Sequence, residues 1–301
     1  MKKKAIIISL KGKTLSKKEK MLLSKERPWG VILFKRNIYS LKQTQKLILQ
    51  IKKYSKSKNF PILIDEEGST VSRLKNIFNH HLNANYFGKV FEKNKKSAIF
   101  IYKNYLKSLC NLLKIIGVNT NTIPVLDVLR KNTSKIIGSR SFSHNKEIVK
   151  ILGDITVREC QKHKIISVIK HIPGHGCSTQ DSHIFLPKVN LSEKNLNLID
   201  FYPFKSNSAK LAMTAHILFS KIDNKNVSTF SKKIINKIIR KKIGFKGILM
   251  SDDISMKALK YDLVTNAKKA LAAGCNLVLY CDGKIKDNLK LIKSVPYIDK
   301  F

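Results

Sequence analysis

The sequence predicts an α/β fold, a (β/α)8 TIM barrel spanning residues 1–301 as a single domain, and three observations carry that prediction. Eight short runs rich in β-branched residues recur along the chain. Segments of helical period separate them, the pattern of a parallel sheet with crossover helices. Acidic and imidazole side chains collect at or just past the ends of those runs, where the loops of a barrel converge on one mouth.

The runs are Ala5 to Ser9, Gly30 to Phe34, Ile62 to Asp65, Asn119 to Pro124, Ile166 to Lys170, Leu211 to Thr214, Gly247 to Ser251 and Leu277 to Tyr280. Between them, helices are expected over Leu41 to Tyr54, Ala98 to Ile116, Lys146 to His163 and Met256 to Ala273. Ser40-x-x-Gln43 reads as a capping box for the first, and Gly117 and Gly274 close the second and fourth. No internal repeat, Gly/Ser linker or low-complexity tract divides the chain. The last strand is followed only by a short helix, Lys284 to Ser294, so closure of the barrel is expected to be weaker there.

With 301 residues and 43% hydrophobic content, one large core can be buried. No run approaches the eighteen or so apolar residues of a membrane span. After Met1-Lys2-Lys3-Lys4 the apolar stretch Ala5 to Leu10 is too short for a secretory signal and reads as a buried strand. Five scattered cysteines, Cys110, Cys160, Cys177, Cys275 and Cys281, fit reduced thiols in a cytosol, so a cytoplasmic location is expected. The net charge of +39 is spread along the whole chain, and only seven of the 59 basic residues are Arg, which argues against nucleic acid as a partner.

Only twenty residues are acidic, so their clustering is informative. Asp65-Glu66-Glu67-Gly68 closes the third run, Asp127 follows the fourth, and Asp252-Asp253 follows the seventh. For Asp252 and Asp253, helix capping and catalysis are both open on position alone. The segment Lys170-His171-Ile172-Pro173-Gly174-His175-Gly176, continuing to Asp181-Ser182-His183, packs three of the eight histidines into thirteen residues. The spacing of His171 and His175 straddles Pro and Gly, which does not suit a zinc site; no metal and no cofactor is expected. Asp181 two residues before His183 suits proton transfer, because the carboxylate raises the basicity of the ring and fixes its tautomer; taken without the flanking motif, the pair reads as an ordinary loop histidine. Asp65, Arg73, Arg140, Lys170 and His171 are candidate partners for hydroxyl groups; taken singly, each arginine is better explained by pairing with a nearby acid.

In order along the chain, Gly30-Val31-Ile32-Leu33-Phe34-Lys35-Arg36-Asn37, Ile64-Asp65-Glu66-Glu67-Gly68, Pro124-Val125-Leu126-Asp127-Val128, Ile137-Gly138-Ser139-Arg140-Ser141-Phe142, the Lys170 to His183 segment, Met213-Thr214-Ala215-His216 and Ser251-Asp252-Asp253-Ile254-Ser255-Met256 resemble family-3 glycoside hydrolases, specifically bacterial β-N-acetylhexosaminidases of the cell-wall recycling type. The resemblance implies a retaining mechanism with Asp252 as nucleophile, His183 as acid/base on a loop and Asp181 as its partner. It implies that Asp65, Arg73, Arg140, Lys170 and His171 hold the terminal sugar. The implied substrate is an oligosaccharide or muropeptide with terminal β-linked N-acetylglucosamine, and a monomer is favoured. Gly68-Ser69-Thr70 departs from the Gly-Gly-Arg that similar enzymes carry, so a reshaped loop is expected there. Two alternatives stay open: a β-N-acetylglucosaminide phosphorylase, in which phosphate replaces water, and a non-catalytic sugar- or nucleic-acid-binding barrel.

Overall fold

The structure, a computed structural model, describes residues 2–180 and 185–298. Eight parallel strands form the barrel: β1 (Lys3–Ser9), β2 (Pro28–Leu33), β3 (Ile62–Ile64), β4 (Thr120–Asn121), β5 (Ile166–Ile172), β6 (Leu211–Thr214), β7 (Ile248–Asp253) and β8 (Leu277–Leu279). Each predicted run supplies one of them. Neighbours pair in chain order, and β8 closes on β1 with Ile6 opposite Val278 and Ile7 opposite Leu279.

Closure differs from the expectation in an informative way. A further two-residue strand, Tyr297–Ile298, runs antiparallel to the start of β1, with Lys3 opposite Ile298 and Lys4 opposite Tyr297. It supplies hydrogen-bonding partners below the point where β8 begins.

Side chains alternate across each strand. Ile7 joins Ile32, Leu63, Val168, Leu211, Met213, Met250, Leu277 and Leu279 in the core enclosed by the barrel. Ile6 and Ile8, on the other face of β1, belong to the larger core between strands and helices. Burial on both faces is why these strands read as nearly continuous apolar runs.

The helices follow the sequence signals, with local shifts. Leu41–Tyr54 starts at Ser40, whose hydroxyl accepts from the Gln43 amide; the Gln43 side chain reaches one residue further back than a capping box requires and accepts from the Tyr39 amide at 2.9 Å. Lys95–Ile116 ends at Gly117, whose φ of 100° is the left-handed conformation that a side chain would disfavour. Lys146–Lys162 and Ile285–Ser294 stand within a residue of their expected bounds. The fourth helix starts seven residues later than expected, at Leu263, and Asp262 rather than Asp252 or Asp253 caps it. The capping role for the Asp252-Asp253 pair is thereby excluded. Ile234–Lys242 buries Ile234, Ile235, Ile238 and Ile239 and directs its lysines outward. Among the described residues, no helix is long and apolar enough to cross a membrane.

Candidate active site

The side chains of interest stand at the carboxyl ends of the strands. Asp65, Glu66 and Glu67 leave β3 in succession and take three directions. Asp65 accepts from the Arg73 guanidinium at 3.0 Å, from the Thr122 hydroxyl, and from Lys170 Nζ at 3.3 Å. Glu67 takes a bidentate bond from Arg140, 2.7 Å from Nε and 2.9 Å from Nη2, and lies 2.5 Å from Lys170 Nζ. Glu66 points away from both. Its carboxylate accepts the backbone amides of Arg73 (2.7 Å) and Leu74 (3.1 Å) and bonds the His80 ring at 3.1 Å, so it braces the loop that carries Arg73.

Lys170, near the end of β5, is only 2% exposed, and one ammonium is shared by Asp65, Glu67 and the Thr122 hydroxyl at 2.8 Å. Burial alone would raise both carboxyls. Lys170 and Arg73 outweigh it at Asp65, and Arg140 and Lys170 outweigh it at Glu67, so both stay below the ordinary carboxylate range. Both predicted arginines do pair with acids, yet those acids converge on the same buried lysine. Arg73 and Arg36 also approach the Phe34 ring, at 5.1 and 4.8 Å from its centroid.

Beyond β4, Asp127 has no exposed surface. It accepts from His171 Nδ1 at 2.7 Å and from the backbone amides of His171 (3.3 Å) and His175 (2.6 Å). His175 is also buried; desolvation pulls its pKa down to about 4, which leaves the ring neutral at pH 7. Gly176 follows, and only a glycine fits there: a Cβ would stand 1.8 Å from the Val128 carbonyl oxygen. Among the described residues, no group of three or more His, Cys, Asp or Glu side chains is disposed to hold a metal ion.

Asp252 and Asp253 end β7. One carboxylate oxygen of Asp252 accepts the Asp253 amide at 2.7 Å, and its charge is felt by His175 on one side and by the Cys281 thiol on the other. Asp65 also acts on Cys281, and both carboxylates stand at the carboxyl ends of barrel strands, β3 and β7. Asp253 turns away, receiving the Ser255 amide and hydroxyl and the Cys281 amide; burial raises its pKa to about 6. His216 is fully buried, bonds Thr229 at 2.7 Å through Nδ1 and donates from Nε2 to the Asp253 carbonyl at 3.0 Å, which fixes the backbone beside Asp252.

Of the predicted site residues, Asp65, Arg73, Arg140 and Lys170 join through Glu67 in one ion-pair network, His171 follows Lys170 and bonds Asp127, and Asp252 stands at the same end of the barrel on β7. Asp181 and His183 lie outside the described residues. Sequence reading missed Glu67, Glu66 with His80, and His216. Their partners lie far off in the chain, 73 residues away for Glu67 and Arg140, and no local spacing announces them. The altered Ser69-Thr70 loop forms a bond of its own, Thr70 Oγ1 to Ser139 Oγ at 2.7 Å, tying the loop of Arg73 to the turn of Arg140.

A closed parallel barrel whose carboxyl-terminal mouth carries buried carboxylates, guanidiniums and imidazoles is the build of a (β/α)8 enzyme. Residues 3–298 match the glycosyl hydrolase family 3 N-terminal domain. The beta-hexosaminidase of Psychromonas ingrahamii is 30% identical over 304 residues, covering 97% of this chain and 88% of its own. That of Actinobacillus succinogenes is 32% identical over 305 residues, covering 98% and 87%. Among solved structures, NagZ from Neisseria gonorrhoeae in complex with N-trifluoroacetyl-D-glucosamine superposes with a TM-score of 0.89 at 28% identity, covering all of this chain and 87% of that one. A family 3 β-N-acetylglucosaminidase from Paenibacillus gives 0.88 at 27% identity over 96% of this chain, which spans 56% of that longer one. The chain belongs to glycosyl hydrolase family 3 and is a glycoside hydrolase.

Proposed function

We propose that the chain is a retaining exo-β-N-acetylglucosaminidase, working as one catalytic domain over residues 1–301. It removes terminal β-linked N-acetylglucosamine, from muropeptides carrying anhydro-N-acetylmuramic acid during cell-wall recycling in the cytoplasm. The observation that carries this reading is the Asp65–Lys170–Glu67 cluster with Arg73 and Arg140, at the same end of the barrel as Asp252. The cluster holds donors and acceptors in fixed positions, as recognition of several hydroxyls on one small sugar requires. The Arg73 side chain is 28% exposed, so its guanidinium end, held by Asp65, stays within reach of a ligand.

In this reading Asp252 attacks the anomeric carbon, the glycosidic oxygen takes a proton from His183 and leaves, and a glycosyl ester forms. Water, deprotonated by the same imidazole, then opens the ester; Asp181 fixes the tautomer of that ring. Two inversions at one carbon restore the starting configuration.

Incubation with a 5-fluoro N-acetylglucosaminyl donor, followed by peptide mass spectrometry, is expected to find the label on Asp252. Nuclear magnetic resonance of the fresh product is expected to show the β-anomer. Label on another residue, or an α-product, overturns the mechanism. The same reaction in phosphate buffer is expected to give free sugar; accumulation of the sugar 1-phosphate would make the enzyme a phosphorylase instead.

A further inference from the structure

His171 is one of the residues on which the proposed sugar site rests, and an imidazole binds specifically only if its ring is held in one orientation and one tautomer. The group that holds it is Asp127, a carboxylate with no exposed surface and no lysine or arginine within ion-pair distance among the described residues. Such a carboxylate is costly to bury unless its lone pairs are met. They are met by three donors, all from one turn: Oδ2 receives His171 Nδ1, while Oδ1 receives the His171 and His175 amides. Burial alone would raise its pKa, but the His171 and His175 groups bonded to it together outweigh burial and hold it below the ordinary range. Asp127 is itself fixed from the other side, its carbonyl accepting the Ser141 hydroxyl at 2.5 Å, next to Arg140.

We propose that Asp127 is a positioning residue of the active site. Its carboxylate accepts from His171 Nδ1 and so fixes the orientation of the ring, leaving Nε2 to meet a sugar hydroxyl, and through the His175 amide it holds the turn after β5. The carboxylate thus couples the loop after β4 to the turn after β5. A carboxylate serving only to tie these two loops together would need the two backbone amides alone. The 2.7 Å bond to the ring nitrogen is what a tie does not require.

The proposal rests on the glycosidase reading for its effect on activity, but its central measurement does not. Long-range proton–nitrogen correlation spectra of the full-length protein, with His171 assigned by loss of its signals in His171→Gln, are expected to show the Nδ1–H form. A wild-type ring in the Nε2–H form overturns the proposal whatever the variants do. In Asp127→Asn the ring is expected to change to the Nε2–H form, because an amide NH2 now faces Nδ1. The kcat/KM for an aryl N-acetylglucosaminide is expected to fall by about 10- to 100-fold, the scale known for carboxylates that orient metal-bound histidines. An Asn variant that folds, keeps its tautomer and stays within about twofold of wild-type activity would refute the positioning role. Wild-type protein inert toward N-acetylglucosaminides would instead count against the glycosidase reading and leave the tautomer result standing.

Discussion

Replacing Lys170 by Met removes a cation and keeps nearly the same length of side chain, which makes it a direct probe of the charge cluster. The ammonium is 3.3 Å from Asp65 and 2.5 Å from Glu67, whose side chains are 13% and 5% exposed. Deleting one partner of a buried pair typically costs about 3–5 kcal/mol, since the remaining charge stays in low dielectric. Asp65 retains Arg73 and Thr122, and Glu67 retains Arg140, so the low end applies, about 3 kcal/mol. At the usual unfolding entropy per residue, that lowers Tm by about 5 °C for a chain of this length. Adding Glu67→Gln removes one of the stranded carboxylates, and the double variant is expected to lose at least about 1 kcal/mol less than the two single losses summed.

The pH dependence has a definite sign. Asp65 and Glu67 both have folded pKa values below the ordinary carboxylate range, so their stabilisation is complete above about pH 4 and is lost as the pH falls through the folded values. The deficit of Lys170→Met is therefore expected to be full at pH 7 and to shrink below pH 4. Urea denaturation at pH 7, 5 and 3.5 measures it. A loss under about 1 kcal/mol at pH 7, strict additivity in the double variant, or a deficit unchanged at pH 3.5 would refute the shared-cation account.

Two further outcomes follow from single groups. His175, with its pKa near 4, disfavours the folded state as the pH falls from 6.5 toward 4, where only the unfolded chain takes the proton; Asp253, near 6, acts oppositely over about the same window. Asp253→Asn is expected to expose an acid-side loss of about 3 kcal/mol between pH 6.5 and 4 in urea titrations, and a curve as flat as wild type would contradict these shifts. His183→Ala is expected to slow alkyl N-acetylglucosaminides far more than those with strongly acidic leaving groups, which need no proton. Equal slowing of both in steady-state assays would remove His183 from acid/base work.

The barrel was legible because its strands are short, β-branched and buried on both faces, while the crossovers keep a helical period. What escaped shows where local pattern stops. Ala84–Lys93 is a helix with Gly88 at its middle, normally a sign against one. The glycine is there because the helix lies against the chain at Phe142, whose carbonyl oxygen would be 1.8 Å from any Cβ, a contact 54 residues away in sequence. The helix expected from Met256 starts late because Asp253 holds the Ser255 amide and hydroxyl in a turn. In the mouth, strand ends and the loops after them were enough to raise Asp65, Arg73, Arg140, Lys170 and His171 as candidates, and the resemblance added the role expected of them. The cluster's organisation was not legible, since one lysine serving two acids from another strand is a property of three-dimensional register.

The pairing of Lys3 with Ile298 has a practical side. It gathers the first and last described strands at the pole of the barrel opposite its mouth. A surface anchor, fluorophore or carrier domain attached near either of them would leave the catalytic opening facing the bulk liquid, a favourable geometry for immobilising the enzyme on a bead or electrode.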